Sequence, residues 1–268
     1  MPSLFEITPS QLSRLIGTPK APIILDLRID EDFALDPNTI PGARRVTFVK
    51  VQNLAPQLHD HKVVIYCQKG RKISHGAAAV LRARGIHTEV LSGGHFAWRD
   101  AGLPLLETHN FDFLTTGKSS VWVTRQRPKV DRIACPWLIR RFIDTQAQFL
   151  FVPADDVLLV AEKFNAIAFD VEQAFWCHRD YKCTFDALLN QISVAPPALK
   201  HIARIIRAAD TDDLQLEAEA KGLLAISLGL SRMYRDDNVQ LESSLVIYDA
   251  LYRWARDASG ETHLHSNT

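Results

Sequence analysis

The chain has 268 residues, a length that favours two modest domains over one large domain. Its hydrophobic content of 47% is ordinary for a soluble protein with buried cores. Its 31 lysines and arginines equal its 31 aspartates and glutamates, so the overall charge indicates neither a nucleic-acid partner nor a membrane partner. No stretch approaches the roughly 18 apolar residues of a membrane span, and the first residues lack the pattern of a secretory signal, so we expect a cytoplasmic protein.

Short apolar runs alternate with a helical pattern in the first part of the chain. Residues 22–28 and 62–68 are typical of buried parallel strands, and residues 74–85 are typical of a helix that ends at Gly85. Residues 87–94 then indicate a further strand that ends in a glycine turn. This order of elements predicts an α/β domain, with a mainly parallel sheet and flanking helices.

A loss of periodicity marks a boundary in the middle of the chain. Around residues 108–120, polar and small residues take over from the apolar pattern, as is typical of a linker. We place the linker at residues 109–119. It divides the chain into a first domain of residues 1–108 and a second domain of residues 120–268.

The second domain begins with strands and ends in helices. The predicted elements are a strand at 121–126, a helix at 131–144, a strand at 147–153, a helix at 155–165 and an apolar run at 166–171. Asp131 is predicted to cap the amino end of the first of these helices. From Thr184 onward the pattern is almost entirely helical, which predicts a mostly helical α+β domain.

Cys67 lies where a predicted strand meets a predicted helix, at the edge of a parallel sheet where open α/β folds bind their ligands. There a helix amino end and loop N–H groups favour a thiolate or an anionic sulfur species. Gly70 allows a tight ring of inward-pointing amides. Positive charge comes from Lys69, Arg71 and Lys72. A strand-end cysteine alone is more often a buried structural residue, so the surrounding segments decide its role.

Four segments around Cys67 have the order and spacing found in rhodanese domains. They are ILDLR (24–28), IPGARRV (40–46), VVIYCQKG (63–70) and LSGGHFAWRDAGLP (91–104). Over residues 1–106 the chain therefore resembles the rhodanese family. The resemblance implies sulfurtransferase activity, in which Cys67 carries the transferable sulfur as a persulfide.

The resemblance also assigns roles to neighbouring residues. The residues that match the active-site loop of the family are Gln68, Lys69, Gly70, Arg71, Lys72 and Ile73. Asp26 and Arg28 match an aspartate and an arginine at the end of an early strand, where they either serve the site or support the loop through capping and ion pairing. Gly93, Gly94 and Trp98 match a motif of turn and packing.

The loop departs from the rhodanese pattern at its last two positions. Many rhodaneses have arginine and then serine there, whereas this chain has Lys72 and Ile73. A lysine offers a point charge without the bidentate fork of an arginine. We therefore expect thiosulfate to be a poor donor, and the identity of the donor stays open.

The helix predicted at 132–143 carries an unusual arginine. Its apolar side chains nearly encircle the axis, which indicates burial on most sides. Arg141 falls on an apolar sector and must find an anionic partner, which is either a carboxylate or a bound oxyanion. A structural salt bridge is the more common outcome. Because Arg125 and Arg132 lie nearby in sequence, Arg125, Arg132 and Arg141 together form a hypothetical oxyanion site.

A second group of polar residues follows the apolar run at 166–171. Asp170, Cys177, His178 and Cys183 bring possible metal ligands into one short segment, although their spacing matches no standard zinc pattern. Asp210 is a candidate to complete the site, and helix capping or core packing are the competing interpretations. The metal hypothesis assigns Asp170, His178, Cys183 and Asp210 to a zinc, manganese or iron ion with an open position for an oxyanion or water.

Segments of the second domain carry a resemblance of their own. They are VTRQRPKVDRIACPWLIRRFID, FLFVP, CHRDYKCTFDALL, AADTDD, GLLAISLGLSRMYRDD and YDALYRWAR. Over residues 121–257 the chain resembles the chromate-resistance domain, which forms the C-terminal part of chromate-responsive regulators. In such regulators a winged-helix DNA reader usually precedes this domain. A rhodanese-like domain stands in that place here, so a nucleic-acid partner is not expected.

The leading hypothesis is a cytoplasmic sulfurtransferase that uses a Cys67 persulfide. Its second domain would bind chromate, a related tetrahedral oxyanion or a divalent metal, which connects the chain to oxyanion stress. The expected partners are a sulfur donor, a thiol acceptor, an oxyanion and a second copy of the chain in a homo-oligomer. The alternative is a chromate or redox sensor with little sulfurtransferase turnover.

Overall fold

The computed structural model describes residues 5–116 and 118–261. The strands are β1 (Glu6–Ile7), β2 (Ile23–Asp26), β3 (Asn38–Thr39), β4 (Ala43–Arg45), β5 (Val63–Tyr66), β6 (Thr88–Leu91), β7 (Leu105–Glu107), β8 (Val121–Arg125), β9 (Gln148–Val152), β10 (Ile167–Ala168) and β11 (Ile192–Ser193). The helices are α1 (Pro9–Ser13), α2 (Asp30–Leu35), α3 (Ala55–Leu58), α4 (Lys72–Arg82), α5 (Gly94–Asp100), α6 (Asp112–Thr116), α7 (Asp131–Leu138), α8 (Val157–Phe164), α9 (Thr184–Leu189), α10 (Pro197–Asp210), α11 (Ala220–Met233) and α12 (Asp237–Asp257). Within the two described ranges, no helix combines the length and the apolar character needed to cross a lipid bilayer.

A parallel sheet organises the first part of the chain. Its strands follow the order β1, β6, β5, β2 and β4. All four residues of β5 are buried, as expected at the centre of a parallel sheet. The strands predicted at 22–28, 62–68 and 87–94 are present as β2, β5 and β6, and the helix predicted at 74–85 is present as α4. The predicted α/β fold of this domain is therefore confirmed.

The second part of the chain combines a small sheet with a group of helices. The sheet contains β10, β8 and β9 in that order, and its strands are parallel. α10 packs against α9, α11 and α12, and α7 packs against α9 and α12. On α10, Ile202, Ile205 and Ile206 are buried, which is the spacing of a helix that presents one face to a core. This is the mostly helical α+β arrangement that the sequence predicts.

A third sheet connects the two parts. β7 lies between β3 and β11, and both pairs are antiparallel. Within the predicted linker at 109–119, Phe111 and Leu114 are buried and α6 forms. Buried residues from both parts also belong to one continuous hydrophobic cluster. The segment between the two domains is thus packed rather than extended, and the domains share a core.

The helix predicted at 131–144 changes geometry before it ends. The α-helical part stops at Leu138, and a π-helix continues it over Ile139–Ile143. Pro136 lies inside the α-helical part. Because proline has no N–H and crowds the preceding turn, it interrupts the regular hydrogen-bond ladder at this point.

The prediction that Asp131 caps its own helix is wrong. Val130 occupies the N-cap position of α7, and Asp131 is the first residue inside this helix. The Asp131 carboxylate instead accepts hydrogen bonds from the N–H groups of Thr184 and Phe185, at 2.7 and 3.1 Å. These N–H groups begin α9, so Asp131 caps a different helix, and the long separation in sequence hid this partner.

Candidate functional site

Cys67 occupies the carboxyl edge of the parallel sheet, directly after β5 and shortly before α4. Its side chain is largely buried, with 6% of the residue exposed. Lys69, Arg71 and Lys72 are exposed, and among the described residues they form no ion pair. Their positive charge is therefore available to an anionic species at the loop.

The start of α5 holds the Cys67 loop in place. The N–H of His95 donates to the carbonyl oxygen of Cys67 at 3.0 Å, and the N–H of Phe96 donates to the carbonyl oxygen of Gln68 at 3.1 Å. N–H groups at the amino end of a helix have no partner within the helix, so they are free to bind another segment. Two loop carbonyls are fixed in this way.

Two glycines make this contact close. Gly70 and Gly94 have φ values of +61° each, in the left-handed region. A Cβ at Gly94 would overlap the carbonyl oxygen of Cys67 and the amide nitrogen of Gly70, and a Cβ at Gly70 would lie 2.5 Å from the carbonyl oxygen of Leu91. Only glycine allows backbones to approach this closely at such φ values.

Asp26 and Arg28 form a buried network below the loop. The Nε of Arg28 donates to both carboxylate oxygens of Asp26, at 3.0 and 2.9 Å. The Tyr66 hydroxyl donates to the same carboxylate at 2.9 Å, and burial raises the pKa of Tyr66 well above its ordinary value. The terminal nitrogens of Arg28 donate to the carbonyl oxygens of Asp36 and Asn38. These contacts satisfy both charges and fit the supporting role for Asp26 and Arg28.

A cluster of carboxylates surrounds His178 in the second domain. The Nε2 of His178 lies 3.1 Å from Asp170 Oδ1 and 3.1 Å from Asp210 Oδ2. The Oδ2 of Asp131 lies 3.5 Å from the same nitrogen. The Asp131 side chain is fully buried, whereas 43% of the His178 side chain is exposed, so solvent reaches the cluster through His178.

The fold gathers these residues from the ends of separate elements. Asp131 begins α7, Asp170 follows β10, and Asp210 ends α10. The Thr184 hydroxyl donates to Asp170 Oδ1 at 3.1 Å and so orients that carboxylate. Three of the four predicted metal ligands meet here, namely Asp170, His178 and Asp210. Asp131 joins them, although its place in the sequence predicts only a capping role.

Two of the three predicted oxyanion ligands stand beside this cluster. A terminal nitrogen of Arg125 and the Nε of Arg132 each lie 3.2 Å from Asp170 Oδ2. The Arg125 side chain is 43% exposed, whereas the Arg132 side chain is only 17% exposed. The site therefore combines two guanidinium groups and an imidazole with three carboxylates.

The electrostatics of the cluster favour a cation at the imidazole nitrogen. Hydrogen bonds to Asp131, Asp170 and Asp210 raise the pKa of His178 to about 12. Burial raises the pKa of Asp131 to about 6. Burial also acts to raise the pKa of Asp170, but the hydrogen bond from His178 and the charges of Arg132 and Arg125 outweigh it. The pKa of Asp170 is therefore lowered. Carboxylate oxygens and an imidazole nitrogen are also ligands for divalent metals. Asp131, Asp170 and His178 offer ligand atoms close enough together to share one ion.

Arg141 does not join this site. Its Nε and a terminal nitrogen donate to the two oxygens of the Asp249 carboxylate at 2.8 Å each. The indole N–H of Trp137 donates to the same carboxylate at 2.8 Å. The anionic partner that Arg141 requires is thus Asp249 on α12, in a bidentate pair. The structure contradicts the prediction of Arg141 as an oxyanion ligand.

Cys183 also stays outside the metal cluster. Its Sγ is buried at the start of α9 and lies 3.5 Å from Asp186 Oδ2. Burial raises the pKa of the Cys183 thiol, with a further contribution from the charge of Asp131. Its Sγ is not among the ligand atoms of the described residues that lie close enough together to share one ion, so the geometry gives no support to Cys183 as a metal ligand.

Comparisons with known proteins match the two parts of the chain separately. Residues 8–101 match the rhodanese-like domain, and residues 122–255 match the family described as ChrB, C-terminal domain. Protein ChrB of Cupriavidus metallidurans is 33% identical over 132 residues, which cover 49% of this chain and 39% of that protein. The chain thus spans well under half the length of this curated relative.

Solved structures are similar to about a third of the chain. A rhodanese-like domain protein from Staphylococcus aureus is 26% identical, covers 35% of this chain and 91% of its own chain, and has a TM-score of 0.32. A rhodanese-related protein from Thermoplasma volcanium is 22% identical, covers 38% of this chain and 96% of its own, and has a TM-score of 0.33. Both resemblances found in the sequence are confirmed by the family matches. The chain belongs to the ChrB C-terminal domain family and joins a rhodanese-like domain to it.

Proposed function

We propose that the chain is a rhodanese-type sulfurtransferase that uses a Cys67 persulfide and takes part in resistance to chromate or related oxyanions. One observation carries the first half of this proposal. The Cys67 loop lies at the carboxyl edge of the sheet, and its backbone is fixed by hydrogen bonds from His95 and Phe96 at 3.0 and 3.1 Å. A fixed loop before a helix amino end is suited to an anionic sulfur intermediate.

The proposed reaction has two displacement steps. The Cys67 thiolate attacks the outer sulfur of the donor, and the bond between this sulfur and the rest of the donor breaks. The electron pair leaves with the donor residue, which is sulfite when the donor is thiosulfate. An acceptor thiolate then attacks the outer sulfur of the Cys67 persulfide and expels the Cys67 thiolate. Lys69, Arg71 and Lys72 would stabilise the negative charge that the loop carries throughout.

The second half of the proposal concerns the cluster around His178. We assign to it the binding of a divalent metal, namely zinc, manganese or iron, or of a tetrahedral oxyanion such as chromate. The convergence of Asp131, Asp170 and His178 supports a metal. Arg125 and Arg132, which both contact Asp170 at 3.2 Å, support an oxyanion beside it.

Turnover assays test the sulfurtransferase. Persulfide transfer from mercaptopyruvate or thiosulfate to dithiothreitol should fall by at least about 100-fold in Cys67→Ser, because the nucleophile is removed. Cys177→Ser is the control, since this thiol is also free but lies in the other domain. Equal turnover in Cys67→Ser and the intact protein would contradict the proposal.

Binding measurements test the second domain on the full chain. Elemental analysis and calorimetric titration with chromate should show bound metal or oxyanion in the intact protein and neither in His178→Ala. His109→Ala, which removes another exposed imidazole, should leave both unchanged. Loss of binding together with loss of the folded state would assign His178 a structural role. Binding at His178 in a chain without sulfur turnover would favour a sensor.

A further inference from the structure

Helix α11 exposes an apolar face and buries a partly polar one. Ile226, Leu228 and Met233 are 49%, 43% and 71% exposed, whereas Ser227 and Ser231 are buried. A helix on the surface of a globular domain normally shows the opposite distribution, with its large apolar side chains turned towards the core. Within the described part of the chain, no other element covers this apolar face.

The buried serines explain why α11 lies with its apolar face outward. The hydroxyl of Ser227 accepts a hydrogen bond from the N–H of Val130 at 2.8 Å. A terminal nitrogen of Arg127 donates to the carbonyl oxygen of Ser231. Val130 is the N-cap residue of α7, so the inner side of α11 holds the start of that helix. These hydrogen bonds fix the rotation of α11 about its axis.

Small residues occupy the middle of the exposed face. Helical periodicity places Gly222, Ala225 and Gly229 in one row, and all three are exposed. A Cβ at Gly222 or at Gly229 would meet no atom within 4 Å, so no contact within the described residues requires a glycine at either position. Glycine is unfavourable inside a helix, but it lets another backbone approach closely. The row therefore leaves room for a second helix along this face.

The face carries opposite charges on its two flanks. Glu219, the N-cap residue of α11, has helical backbone angles and lies two positions before Lys221. At 100° per residue their side chains point about 160° apart around the helix axis. Neither residue forms an ion pair with a described residue, and Glu217, which lies close to Glu219, pairs with Arg204 instead. Each flank is thus left without a counter-charge.

A two-fold axis parallel to α11 would bring these flanks together. Rotation by 180° about such an axis sets each flank against the opposite flank of the second helix, at the same height. Glu219 of one copy then faces Lys221 of the other, and symmetry forms this pair twice. Ile226 and Leu228 lie on opposite flanks in the same way, so they also face each other between the copies. An antiparallel arrangement sets like flanks together and forms no such ion pair.

We propose that the outer face of α11 is the contact surface of a two-fold symmetric homodimer, in which the α11 helices of two copies of this chain lie parallel. A helix of 14 residues is about 21 Å long. One pair of such helices buries less than the roughly 800 Å² per partner of a standard interface, so we expect a micromolar dissociation constant. The inference does not depend on the proposed function, because neither Cys67 nor His178 lies on α11.

Sedimentation velocity of the full chain tests the contact surface. A range of about 1–200 µM brackets a micromolar dissociation constant and should show conversion from monomer to dimer. Ile226→Lys places a charge on the apolar face and should raise the dissociation constant by about 30-fold or more, as expected for a residue central to an interface. Leu159→Lys is the matched control, because Leu159 is 65% exposed on a different helix, α8. Circular dichroism establishes that each variant is folded.

A charge swap tests the parallel arrangement. Glu219→Lys or Lys221→Glu alone should weaken the dimer by about tenfold, because two symmetric ion pairs become contacts between like charges. The double variant should regain the affinity of the intact protein, since each pair is restored with its charges exchanged. A double variant that binds no more tightly than the single variants would overturn the inference. So would a dimer that survives Ile226→Lys, or a chain that stays monomeric throughout, which would leave a different protein as the occupant of this face.

Discussion

Replacing Gly94 with alanine should detach the Cys67 loop from its support. Gly94 has a φ of +61°, and an alanine in the left-handed region costs about 1–2 kcal/mol. Its Cβ would also overlap the carbonyl oxygen of Cys67 and the amide nitrogen of Gly70. Forcing an additional atom into a packed region costs about 1–3 kcal/mol more. We therefore expect Gly94→Ala to lower the free energy of unfolding by about 2–5 kcal/mol, or to displace the loop.

Gly102 provides a control for this experiment. It has a similar φ of +64°, but a Cβ there would meet no atom within 4 Å. Gly102→Ala should therefore cost only the backbone contribution of about 1–2 kcal/mol. Urea unfolding gives the two free energies, and transfer of sulfur to dithiothreitol shows whether Gly94→Ala alone loses activity. Equal destabilisation and equal activity in the two variants would refute the support that we assign to the start of α5.

Three further predictions concern the framework around the two sites. Asp249→Ala should lower the free energy of unfolding by about 3 kcal/mol in a urea titration, because it leaves the half-buried Arg141 guanidinium without its carboxylate. An unchanged free energy of unfolding would contradict the pairing of Arg141 with Asp249. Tyr66→Phe should lower the free energy of unfolding by about 1–2 kcal/mol in the same assay, since it removes the buried hydroxyl that donates to Asp26. An unchanged free energy would show that the buried network of Asp26 and Arg28 does not depend on this hydrogen bond. Proteolytic cleavage within 109–119 should yield two fragments that elute together from a size-exclusion column, because β7 pairs with β11 across the cut and the core is continuous. Separate elution of the two fragments would show two independent domains.

The sequence predicts the first domain well because its fold depends on local patterns. Apolar runs such as 62–68 are long enough to mark buried strands, and glycines end the elements that they follow. Gly85, for instance, has a φ of +78° just after α4. The spacing of the four rhodanese-like segments then locates Cys67 in the fold. Long-range contacts contribute little to any of these predictions.

The second domain is less predictable because its functional residues find partners far along the chain. The rule for helix caps assigned Asp131 to its own helix, whereas its carboxylate binds the start of α9 and lies near His178. Helical periodicity correctly required an anion for Arg141, but it could not identify Asp249, which lies 108 positions away. The sequence of residues 109–119 likewise does not reveal that this segment is packed. Its polar composition obscures Phe111, which is fully buried.

The mass of the intact protein after incubation with a sulfur donor tests the central claim most directly. With mercaptopyruvate, thiosulfate or glutathione persulfide as donor, we predict the addition of one sulfur atom to Cys67. Reduction with dithiothreitol should remove it, and Cys67→Ser should not acquire it. The loop fixed by α5, with its exposed basic side chains, is the physical reason for this expectation. An unmodified Cys67 with every donor, in a protein that is folded and reduced, would contradict the account.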